Sequence, residues 1–179
     1  TVANNHALDR GPAGLDATLA ELAVRRMPAT GAIRVGAPRD FAVRLPTRLG
    51  ALVLIGCTYG TNGIPDPRRQ VLHCFRDRAD LLAAVRAEAA RPGAAGVIVL
   101  PHWGEEYSHR PTTAQAALAR DLAAAGALAV IGAHPHVVQP WAWPEGPRGR
   151  VPVLYSLGNF VAAQVELPRR AGVMAWLDL

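Results

Sequence analysis

Lysine is absent from this 179-residue chain, and all 19 of its basic side chains are arginine. With so many alanines beside them, the arginines read as the mark of GC-rich coding rather than of selection for guanidinium chemistry. Aromatic residues are scarce at 6%, and the cysteines are two, Cys57 and Cys74. Their spacing excludes a zinc knuckle and a CxxC redox pair. Cys57 ends an apolar run and reads as a buried thiol; a disulfide to Cys74 is left open, and the redox compartment with it. No apolar run approaches the roughly 18 residues of a membrane-spanning helix, and no signal-peptide pattern opens the chain. Helix-turn-helix, zinc-finger and RNP signatures are missing too, so nucleic acid is not expected as a partner.

What is present describes one α/β domain over residues 1–179. Hydrophobic residues make up 50% and mean hydropathy is +0.12, which excludes disorder and supplies one core. A formal charge of +5 and a pI near 10.2 favour anionic partners, whether small molecule or polymer. Thr1 stands where a motif is already under way, so the chain is expected to be a fragment whose N-terminal part lies upstream.

Periodicity places the elements. Gly11-Pro12 opens a helix with Leu15, Leu19, Leu22 and Met27 on one face. Alternation from Phe41 to Leu45 and the apolar run from Ala51 to Gly56 read as strands, the second a central one. Asp77 is the expected N-cap of a helix reaching Arg91, and Gly96 to Pro101 is a buried strand. Thr112 and Gln115 have capping-box spacing before a helix that Gly126 ends. Ala127 to Ile131, Val151 to Tyr155 and Gly172 to Leu179 read as three further strands, with a turn at PEGPRGR.

Chemistry gathers where those strands stop. The stretch ALAVIGAHPHVVQP ends a strand at Gly132 and presents His134 and His136; His102 follows the strand before it. Strand, helix and strand in a right-handed crossover bring both loops to the carboxyl edge of the sheet, where open α/β sheets place their sites. Three imidazoles and the amide oxygen of Asn5 suit Mn, Zn or Fe. In an extended His-x-His the side chains point to opposite sides, which serves two adjacent ions better than one. No carboxylate stands alone at a strand end to bridge them. His73 and His109 read as surface histidines, Trp103 as a packing residue or pocket wall.

Five motifs then stand in order: ANNHALDRG, YGTNGIP, HWGEEY, GAHPHVVQP and YSLGNF. Together they resemble the CapA family of poly-gamma-glutamate capsule synthesis proteins, whose domain is similar to calcineurin-like metallophosphoesterases. The resemblance implies a four-layer α/β/β/α sandwich, here lacking its N-terminal part and the carboxylates of the family's earliest motifs. It implies that Asn5, His102 and His134 hold one divalent ion and His136 another, with His6 as the catalytic acid. Glu106, Asn62 and Asn159 are expected to orient ligands or meet substrate. The implied function is a role in capsule biosynthesis, with a metal-dependent hydrolase site for a phosphoester or amide bond. The alternative is a non-catalytic accessory subunit that binds a polyglutamate-like anion within a membrane synthesis complex. A membrane anchor or extracytoplasmic location of the full-length protein is part of that expectation.

Overall fold

The computed structural model describes residues 1–178. Helix α1 (Gly11–Val24) is followed by strands β1 (Ala42–Thr47) and β2 (Gly50–Thr58), helix α2 (Arg78–Ala89) and strand β3 (Ala94–His102). Helix α3 (Thr113–Ala124), strands β4 (Ala129–Ile131), β5 (Trp141–Ala142), β6 (Glu145–Gly146), β7 (Gly149–Arg150) and β8 (Val153–Leu154), and helix α4 (Leu167–Arg170) complete the order.

Six strands make one sheet in the order β1-β2-β3-β4-β8-β5. Its centre, β2 to β3 to β4 to β8, is parallel; β1 and β5 run antiparallel at the two edges. Parallel neighbours must be joined by crossovers, and α2 and α3 are two of them, packed on one face. That face carries the main core: Val53, Ile55, Val97, Val99, Val130 and Val153 against Leu81, Val85, Leu118 and Leu122. A smaller core joins Ala3 and Leu8 to Leu15 of α1, Ala32 and Val71. On the opposite face of the sheet Leu52, Leu54, Leu100 and Ile131 are only half-buried.

Local chemistry explains most boundaries. Pro sits in the first turn of α1, where a missing N–H costs nothing. The Thr112 hydroxyl accepts from the Gln115 N–H at 3.1 Å while the Gln115 side chain accepts from the Thr112 N–H at 2.8 Å, so the capping box is complete. Gly126, at φ +100°, supplies the left-handed residue that ends the helix.

Four readings change. Asp77 precedes α2 but makes no cap; its carboxylate accepts instead from the His73 N–H and from Arg76 and Arg69. PEGPRGR is a hairpin, β6 with β7, rather than a bare turn. Beyond α4 no strand forms among the described residues; a single bridge joins Gly158 to Gly172, because the partner there is a loop, and Leu179 lies outside those residues. Cys57 is no free thiol: it is bonded to Cys74, and both are fully buried.

Candidate metal centre at the carboxyl edge of the sheet

The parallel strands all end at one lip. Beyond β3 and β4 their pairing continues: the Trp103 N–H donates to the Ala133 carbonyl at 3.0 Å and the Ala133 N–H to the Pro101 carbonyl at 3.0 Å. Tyr59, just past β2, donates its N–H to the His102 carbonyl at 2.8 Å. Trp103 is fully buried and donates its indole N–H to the Tyr155 carbonyl at 2.9 Å, which clamps the β3 and β8 ends together. A Cβ at Gly132 would lie 2.1 Å from that same carbonyl oxygen, so only glycine lets the His134 loop pass. Buried Gln139 donates to the Ser108 and Arg110 carbonyls and accepts from Gln115, lacing that loop to the one carrying Glu106.

Within this frame the expected residues converge. Asn5 Oδ1 and His102 Nε2 are 2.9 Å apart. A donor separation near 3 Å is the edge of an octahedron built on bonds of about 2.1 Å. The His102 and His134 rings lie 4.7 Å apart between centroids, and those of His134 and His136 6.1 Å. Donor atoms of Glu106, His134 and His136 all fall within 4.8 Å of one another. Asn62 accepts from the Asn5 amide at 3.1 Å and from the Tyr59 hydroxyl at 3.3 Å, and Asn159 Oδ1 lies 3.0 Å from His136 Nδ1. His6 stands more exposed at the rim, its Nδ1 2.8 Å from Asp9 Oδ2. A cavity of about 370 Å³ brings Asn5, His6, His102 and His136 to one opening.

The His134 and His136 side chains do not diverge. Neither residue is extended: φ is +104° at His134 and +60° at His136, and Tyr107 at +64° bends the facing loop, its N–H donating to the Pro135 carbonyl at 2.7 Å. Left-handed backbone at non-glycine residues is strained and clusters at functional sites. Here it turns both imidazoles toward Glu106. The sequence reading keeps Glu106 outside the ligand set, whereas the structure brings its carboxylate within reach of both imidazoles; the available signal was a spacing of four from His102 to Glu106, with Gly104 between them to fold the loop back. His73 is likewise buried rather than on the surface, while His109 is exposed.

Electrostatics favour neutral rings at His102 and His134. Burial pushes His102 down to about 3, and the neighbouring His134, His136 and His6 rings add to the shift. Burial lowers His134 as well, opposed by the Glu106 carboxylate. A neutral ring keeps a lone pair for a cation. The Nδ1 of His134 is buried and has no hydrogen-bond partner, an arrangement that costs free energy unless something outside the protein binds it. Donor type, spacing and that orphaned nitrogen all fit a divalent ion.

A mostly parallel α/β sheet whose strand ends gather imidazoles, amides and one carboxylate around a cavity defines an α/β protein with a candidate metal centre. Its family follows from comparison: residues 1–164 match the model of the bacterial capsule synthesis protein PGA_cap, and the chain belongs to that family. The PGA biosynthesis protein CapA of Bacillus subtilis (strain 168) is 34% identical over 168 residues, 90% of this chain and 42% of its own length. A probable polyglutamine synthesis accessory protein of Mycobacterium tuberculosis is 32% identical over 179 residues, 89% of this chain and 44% of its own. The capsule biosynthesis protein CapA of Bacillus anthracis matches over 69 residues at 45% identity, 38% of this chain and 16% of its own. The chain thus spans less than half the length of these relatives. Among solved structures, a hypothetical protein from Thermus thermophilus aligns with a TM-score of 0.44 at 22% identity, covering 69% of this chain and 40% of that one; so distant a likeness carries no inference. The family read from the five motifs is borne out.

Proposed function

We propose that this chain carries the metal-dependent hydrolase site of a CapA-like protein acting on a phosphoester or amide bond in capsule or poly-gamma-glutamate biosynthesis. The observation that carries the reading is the convergence of Glu106, His134 and His136 donors within 4.8 Å beside the Asn5–His102 pair. Those two groups would hold one or two ions, with Glu106 taking a ligand's place rather than an orienting one. A bound divalent ion polarises the scissile bond and supplies a hydroxide nucleophile near neutral pH. His6 is the acid: Asp9 holds its Nδ1, which leaves Nε2 to give a proton to the leaving group. Asn159 fixes the His136 ring through Nδ1, and Asn62 orients the Asn5 amide.

The four-layer sandwich belongs to the same proposal. Its support is the half-buried sheet face, which opens on a cavity of about 610 Å³ lined by Leu100, Ile131, Leu157, Phe160 and Met174. A second sheet would cover that face. The buried Cys57–Cys74 disulfide supports an oxidising, extracytoplasmic location, and no described helix is long and apolar enough to cross a membrane.

A second reading is an accessory subunit that binds an anionic polymer without chemistry; the printed name of the mycobacterial relative and the net charge of +5 favour it. Turnover separates the two. On the full-length protein loaded with Mn or Zn, the hydrolase reading expects cleavage of a generic phosphodiester or a γ-glutamyl amide, lost in His6→Ala while the metal stays bound. A loaded protein that binds polyglutamate and cleaves neither would establish the accessory role.

A further inference from the structure

One guanidinium stands an aromatic ring away from the candidate centre and has no part in the chemistry proposed above. Tyr107, held by its N–H to Pro135, has its ring 5.9 Å from the His136 ring, and Arg169 of α4 lies over the Tyr107 ring with Cζ 3.7 Å from its centroid. A second route fixes the same residue: Asn159, whose Oδ1 meets His136, donates its Nδ2–H to the Arg169 carbonyl at 2.7 Å. The segment after Arg169 is stapled to the same loop, since the Val173 N–H donates to the Leu157 carbonyl at 2.8 Å. Arg169 is therefore tied to the His136 side of the centre by backbone and side chain together.

Its charge is not consumed internally. The one carboxylate near it among the described residues is Glu166, 3.4 Å from Nε and largely exposed at 65% of its side chain. An exposed pair of that kind contributes little. The two terminal nitrogens have no protein acceptor among the described residues, and the side chain is 30% exposed. A guanidinium oriented by an aromatic face, with its fork free, matches the two oxygens of a carboxylate better than an ammonium can.

We propose that Arg169 is the anion-binding residue of this site, taking a carboxylate of a polyglutamate-type chain and setting that chain against the His136–Glu106 side of the centre. The proposal rests on the metal-centre reading. Such a chain carries one free carboxylate per residue, so a fork beside the centre would hold the unit next to the reacting bond. Phosphate shares the oxyanion chemistry, and the test separates the two.

The experiment titrates full-length, metal-loaded protein with a short γ-glutamyl oligomer and, separately, with inorganic phosphate. Arg169→Ala should weaken oligomer binding about tenfold or more, as loss of a charge-assisted pair does, with metal content and circular dichroism unchanged. Arg169→Lys should recover only part of it. Arg25→Ala, which removes the same charge at the end of α1, should change it less than about twofold, as a screened surface charge does. Oligomer binding by Arg169→Ala equal to wild type, with metal in place, overturns the proposal and leaves the metal centre standing. Loss confined to phosphate overturns the carboxylate assignment. A wild-type protein that holds neither metal nor oligomer defeats the reading beneath it.

Discussion

Reducing the Cys57–Cys74 bond should destabilise the fold by an amount set by the loop it closes. The two residues are 17 apart in sequence. With about that many residues in the ring, the chain-entropy relation gives roughly 3 kcal/mol of stabilisation through the unfolded state. For a chain of this size, with a urea slope of about 2 kcal/mol/M, the unfolding midpoint should fall by about 1.5 M on reduction. The assay is urea unfolding followed by tryptophan fluorescence, with and without reductant, preceded by thiol titration of the native protein. Both sulfurs are joined in the bond, so the unreduced protein should show no titratable thiol, native or unfolded in urea. The bond also matters to the site. Cys57 is followed by Thr58, which bridges to His73, and by Tyr59, whose ring packs 4.6 Å from that of His134. Metal affinity should therefore fall in the reduced protein before global unfolding sets in. Equal midpoints in the two conditions, or two reactive thiols in native protein, would show that the bond has no such role.

Three other perturbations have expected outcomes. Hydrogen bonds from Arg91 and Arg44 hold the buried Glu88 carboxyl down to about 2 against the opposing effect of burial. A depressed carboxylate stabilises above its unfolded value, about 4.3, and loses that stabilisation as pH falls toward 2; with both arginines partly solvated, roughly 2 kcal/mol should disappear from urea midpoints between pH 7 and pH 2, and Glu88→Gln should flatten the dependence. Gly132→Ala forces a Cβ to 2.1 Å from the Tyr155 oxygen and 2.4 Å from Trp103 Nε1, so thermal unfolding should show a loss of about 3 kcal/mol, at the upper end for overpacking. Asn159→Ala frees His136 Nδ1 and should weaken metal binding roughly 10- to 100-fold by competition with a chelating dye, while leaving the melting curve nearly unchanged.

Much of this architecture was legible because its signals are local. The Thr112–Gln115 capping box, the Gly126 terminator and the strands ending at His102 and Ile131 each declare themselves within a few residues. The convergence of His102, His134 and His136 followed from crossover geometry, which short connections enforce, while that of Asn5 was expected from the family resemblance. What the sequence hid depends on contacts distant along the chain or on backbone sign. Positive φ at His134 and His136 cannot be read from a His-Pro-His string, so the imidazoles were expected to diverge and Glu106 was left outside the donor set. Asp77 has the side chain of a good cap, yet Arg69, Arg76 and the His73 N–H hold its oxygens. Cys57 and Cys74 meet only because the loop before α2 folds back alongside β2, a pairing two lone cysteines cannot announce.

Whether the site holds a metal is decided by weighing the metal. Elemental analysis of the full-length protein after equilibration with Mn, Zn or Fe and removal of excess should find at least one ion per chain, with most of it gone in Glu106→Ala and in His134→Ala. Wild-type protein that retains no divalent ion under those conditions, or both variants retaining as much as wild type, would mean that these residues form no metal centre.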